Sequence, residues 1–237
     1  MNCENNSAIK DNLEILEGGS CGPAMIRTMI RAGLRLNKQD PELAPSQKEI
    51  GNQVYSWRYF VLHHNPLKLK LRDNWCLPKD VHNYLHNWFE GVAVYEGEGV
   101  TVDFMAQELE AGKAVGVLIQ DILPDKQHPR GYPDNLDNGH WTLVTAVNVD
   151  EGWIELADSY RDKDGNEQWF DQKGIVLTDG LVEDREGLTL EHRPSYKMRI
   201  EDFVKIWWDY KFKTTDGKYV HPAMVVDLNS FKLDINF

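Results

Sequence analysis

Cysteine is scarce: 237 residues hold three, Cys3, Cys21 and Cys76, an odd number and far apart. That spacing excludes the disulfide framework of small secreted domains and favours a reducing compartment. Long apolar runs are missing too. No stretch approaches the ~18 uncharged apolar residues that read as a membrane span, and Met1–Lys10 is polar, without the apolar segment of a secretory signal. Basic residues are in deficit, 26 Lys and Arg against 38 Asp and Glu, a net charge of −12. Nucleic acid and anionic lipid demand basic patches that release counterions, so both are set aside as partners. Internal repeats, low-complexity tracts and Gly/Ser/Pro-rich linkers are not evident. These features predict a soluble, cytoplasmic protein with no membrane span. Its oligomeric state is unreadable.

The composition that remains is ordinary for a globular chain, with 41% hydrophobic and 27% charged residues. At about 100–200 residues per domain, the length fits one full-sized domain. Such a chain buries about 70% of its unfolded surface and needs no staples. The expectation is a single domain over 1–237 with an insertion at 159–197.

Periodicity places helices first. Ser20 is a natural N-cap, Pro23 sits where a missing N–H is harmless, and Gly33 reads as a C-cap. Between them Met25, Ile26, Met29 and Ile30 form a buried face, with Arg27 and Arg31 on the other side. Further helices are expected over Gln47–Leu62, Pro78–Phe89 and, capped by Thr101, up to Glu110. Strand-like runs follow at Ala114–Gln120, His140–Val149 and Trp153–Asp158. Asp150-Glu151-Gly152 joins the last two as a hairpin turn. A late helix, Arg199–Tyr210, and a strand, Ala223–Leu228, close the pattern. The predicted class is α+β, with N-terminal helices packed on a mostly antiparallel sheet.

The candidate nucleophile is Cys21. A thiol attacks as thiolate, and the unpaired N–H groups and positive dipole end of a helix N-terminus favour that form. Gly18, Gly19 and Gly22 around it would let a substrate backbone approach. A nucleophilic cysteine needs a base and a group that orients the base. His140 opens a strand, and Asp158 ends the strand that the hairpin lays beside it, so the two should be neighbours. Cys76, between Trp75 and Leu77, reads as a packing residue. The pair His82 and His86 lacks a third ligand at recognised spacing, and the acidic residues between Asp121 and Asp137 lack EF-hand spacing. No metal site is expected.

The segments Ser20-Cys21-Gly22-Pro23, Gly112-Lys113-Ala114-Val115, Gly139-His140-Trp141-Thr142 and Leu156-Ala157-Asp158 together resemble the double-glycine leader (bacteriocin-processing) peptidases and their papain-like relatives. The resemblance covers about residues 13–228. It implies a papain-like cysteine peptidase fold, a Cys21–His140–Asp158 triad, a peptide or protein substrate, and neither metal nor organic cofactor. Phytochelatin synthases share the same Cys/His/Asp order, so an acyltransferase remains open, as does an inactive peptide-binding module. One position departs from the pattern. The family usually carries a Gln about six residues before the nucleophile, for the oxyanion hole, and here Ile15 stands there. Asn12 is then the expected substitute, with the backbone N–H of Cys21 as the second donor. The acidic loop 121–139 is expected to border the cleft and to tolerate basic substrate residues.

Overall fold

A computed structural model describes residues 2–3, 7–10, 12, 21–54, 76, 78–97, 99–120, 139–157, 195–207, 209–214 and 217–232. Seven strands among them form one antiparallel sheet in the order β2-β9-β3-β4-β5-β6, with β1 pairing on β4. The strands are β1 (Asn2–Cys3), β2 (Val92–Tyr95), β3 (Ala114–Gln120), β4 (Gly139–Asn148), β5 (Trp153–Ala157), β6 (Ser195–Arg199) and β9 (Ala223–Val226); β7 (Asp209–Thr214) and β8 (Gly217–Val220) make a separate pair. Helices are α1 (Ser7–Lys10), α2 (Cys21–Leu36), α3 (Gln47–Val54), α4 (Pro78–Leu85), α5 (Val102–Glu110) and α6 (Ile200–Ile206). The mixed helix and antiparallel-sheet class is as expected. No helix among the described residues is long and apolar enough to cross a membrane.

The sheet separates two apolar clusters. One joins Met25, Ile26, Met29 and Ile30 of α2 with Leu118, Trp141 and Leu143. The other joins Met105 and Leu109 of α5 and Phe203 of α6 with Val115, Val117, Ile119 and Val144. Strand alternation produces the split: β3 and β4 pair Gly116 with Leu143 and Leu118 with Trp141 on one face, and Val117 with Thr142 and Ile119 with His140 on the other. Gly116 lets α2 lie close, because a Cβ there would sit 2.7 Å from Met25 Sδ. Across α2 the polar side is tied down, with Arg31 2.9 Å from Glu42 and Arg27 Nε donating to the Pro45 carbonyl at 3.1 Å.

Some expected boundaries move. Gly33 does not cap α2; it lies inside the helix, where a Cβ would meet Phe89 Cε1 at 2.6 Å and Phe231 Cδ2 at 2.9 Å. The helix ends later, with Lys38 at φ 57 and two closing bonds, Gln39 N to Leu34 O at 2.8 Å and Lys38 N to Arg35 O at 3.0 Å. These are the paired bonds of a Schellman end. Thr101 caps α5 as predicted, its hydroxyl accepting from Phe104 N at 3.1 Å. The late helix stops at Ile206 rather than Tyr210, because the Trp207 backbone bridges to Ile119 of β3. Ser195–Lys197, expected to end an insertion, belong to β6 and pair with β5. The helix expected to reach Leu62 is described to Val54.

Candidate active site

Cys21 is the first residue of α2, a sixteen-residue helix, and its side chain is half-buried. The next residue fixes where that helix mouth lies. A Cβ on Gly22 would stand 2.6 Å from Cys76 Sγ, 2.7 Å from Cys76 Cβ and 3.5 Å from Trp141 Cδ1. Gly22 therefore opens towards Cys76 and Trp141 of the same chain, rather than lying open for a substrate. The Trp141 indole N–H donates to the Cys76 carbonyl at 2.7 Å in a buried bond, tying Cys76 to the third residue of β4. Burial pushes the Cys76 thiol well above its usual range, and the adjoining Cys21 and Asp80 add to the rise. As expected, Cys76 is a packing residue, buried in the helix-side cluster.

His140 directly precedes Trp141 and is 3% exposed. The N-terminus of α2 and the start of β4 thus meet through the Gly22–Trp141 contact, with Cys21 and His140 each one residue from it. Alternation sends Trp141 to the α2 side and groups His140 with its partner Ile119 on the other face. The β4–β5 ladder runs from Asn148↔Trp153 to Leu143↔Ala157. Gly152, at φ 74, and a Glu151 N to Asn148 Oδ1 bond of 2.9 Å shape its turn. Asp158, one residue beyond, lies outside the described residues, as do Ser20, Ile15, Gly18, Gly19 and the loop 121–138.

Asn12, the expected oxyanion donor, is 1% exposed. Its Nδ2 donates to the Ala8 carbonyl at 2.7 Å, and its Oδ1 is buried without a hydrogen-bond partner among the described residues. Ala8 on α1 packs on the same apolar cluster as Cys21. The rings of His82 and His86 stack 5.8 Å apart, and no group of three or more His, Cys, Asp or Glu suited to a metal occurs among the described residues. The contact that sequence reasoning missed is Cys76–Gly22–Trp141. Its one signal was a glycine in the first helical turn, which marks a close approach without saying by what.

No protein-family model matches the chain, and no curated protein matches it. Among solved structures, one assigned as a C39-like peptidase from Bacillus anthracis is similar at 10% identity and a TM-score of 0.47, over 91% of this chain and 95% of that one.

Proposed function

We propose that the chain is a papain-like cysteine peptidase in which Cys21 is the nucleophile, His140 its base and Asp158 the group that orients the base. The observation carrying this reading is the Gly22–Trp141 contact, which brings the mouth of α2 to the start of β4. His140 is the second residue of β4, next in the chain to Trp141 of that contact. His140 takes the thiol proton, and the thiolate attacks a peptide or isopeptide carbonyl. The C–N bond breaks, the amine leaves with the proton from the imidazolium, and water hydrolyses the thioester. One N–H of the Asn12 amide is engaged by Ala8, leaving the second, with the Cys21 backbone N–H, for the oxyanion.

Two observations favour a second reading, a peptide-binding module without turnover: the Asn12 amide is already engaged, and β4 alternation groups His140 with Ile119. Alkylation separates the readings. With an activated nucleophile, iodoacetamide near neutral pH modifies Cys21 well before Cys76, and Cys21→Ala abolishes cleavage of a peptide library while leaving the thermal transition in place. Slow, equal labelling of both thiols would sink the peptidase reading. Adding an amine nucleophile to an active preparation then distinguishes hydrolysis from acyl transfer by the product formed.

A further inference from the structure

Two of the three cysteines converge on one glycine. Cys76 Sγ fills the space where a Gly22 side chain would be, 2.6 Å from the Cβ position, and Cys21 is the adjacent residue in the chain. Both are free thiols, Cys21 half-buried and Cys76 buried. Cys76 is held in place from behind, its carbonyl accepting the Trp141 indole N–H at 2.7 Å. The two thiols thus differ in access, and Cys21 lies close enough to act electrostatically on the Cys76 thiol.

We propose that Cys21 and Cys76 form a redox pair, oxidised by a hydroperoxide to a disulfide that caps Cys21 and is reopened by small thiols. The order of events follows from exposure. Peroxide reaches Cys21, whose sulfur attacks one peroxide oxygen; the O–O bond breaks, sulfur is oxidised to sulfenic acid, and the peroxide is reduced to water or an alcohol. Cys76, buried, is not reached by peroxide itself. Its sulfur then attacks the sulfenyl sulfur of Cys21. The S–O bond breaks, an S–S bond forms, and water leaves carrying the Cys76 proton. Two equivalents of a small thiol reverse the step by exchange. Closing the disulfide halts Cys21 before the sulfinic stage, from which it would not return.

The test is peptide mapping by mass spectrometry of the full chain after treatment with hydrogen peroxide, with and without dithiothreitol. The expected product is a Cys21–Cys76 cross-linked peptide lighter by two hydrogens. It should vanish on reduction and be accompanied by loss of iodoacetamide labelling at Cys21. In Cys76→Ala the cross-link is lost, and Cys21 accumulates two added oxygens instead. Should that variant fail to fold, the wild-type map alone decides. A sulfinic Cys21 with Cys76 still free, or links running from either residue to Cys3 or to a second molecule, overturns the proposal. The readout is blind to turnover: a cross-link in a protein that shows no peptidase activity even after reduction sinks the peptidase reading alone, and turnover without a cross-link sinks this inference alone.

Discussion

An alanine at position 22 would bring its methyl group to 2.6 Å from Cys76 Sγ and 2.7 Å from Cys76 Cβ, closer than real carbon contacts come. Alanine is the better helix former by roughly 1 kcal/mol, though less in a first turn. Overpacking a fixed site costs about 1–3 kcal/mol, and Cys76 cannot retreat while Trp141 holds its carbonyl. Gly22→Ala is therefore expected to lower stability by about 1–2 kcal/mol, read as a shift in the urea midpoint at unchanged slope. Pairing it with Cys76→Ala removes the sulfur contact but keeps the Cβ contact, so the double variant should recover part of the loss. Additive losses would show that the two residues do not touch. The sequence carried the glycine but not its neighbour, since residues 22 and 76 meet through tertiary packing alone.

At the level of elements, helix ends were more legible where the cap is local. Thr101 and the turn at Asp150–Gly152 announce themselves within three or four residues, and both stand where expected. The end of α2 does not, because Lys38 occupies the left-handed position that usually takes glycine. That conformation costs an L-residue about 1–2 kcal/mol, against roughly 0.5–1 kcal/mol of extra chain entropy for glycine. Lys38→Gly should thus stabilise the fold by about 0.5–1 kcal/mol, visible as a raised thermal midpoint. The start of α3 offers a pH test. Ser46 donates to Glu49 through its N–H at 2.8 Å and its hydroxyl at 2.7 Å, and Glu49 N donates back to the hydroxyl at 3.3 Å. This is a capping box, and its hydrogen bonds hold the Glu49 carboxyl below its ordinary range. A depressed folded value means the stabilisation is complete above the ordinary carboxylate range and is lost as pH falls through the folded value. Wild type should therefore exceed Glu49→Gln in thermal midpoint at neutral pH, and the gap should close in acid. A gap independent of pH would remove the carboxylate from the account.

For the whole molecule, strand runs such as Ala114–Gln120 read directly from the sequence, whereas sheet order did not. β2 is apolar (Val92–Tyr95) but only four residues long, and β6 (Ser195–Arg199) carries Ser, Lys and Arg, so neither stands out as a strand. The late helix was expected to reach Tyr210, but sheet pairing at Trp207, distant in sequence, ends it. The same limit applies to the proposed triad: the order Cys21, His140, Asp158 is read from the sequence, while the face on which His140 stands depends on register with Ile119. β9 exposes the greatest non-local demand. It pairs with β2 on one side and β3 on the other, and all four of its residues are buried. Removing residues 223–237 should abolish the cooperative thermal transition in far-UV circular dichroism, because β2 would lose the strand it pairs with and β3 one of its two partners. A truncated chain that still melts cooperatively would show that the rest of the sheet folds without it.

The insertion of β9 between β2 and β3 also sets a timetable for biosynthesis. At about 5–20 residues per second, a ribosome delivers Ala223–Val226 after every other strand of the sheet has emerged. Until then β3 waits with one bare flank, a template for stray pairing with other nascent chains. A late translational pause would thus leave an aggregation-prone ribbon, and chaperones that shield strand edges should matter most in the final seconds of synthesis.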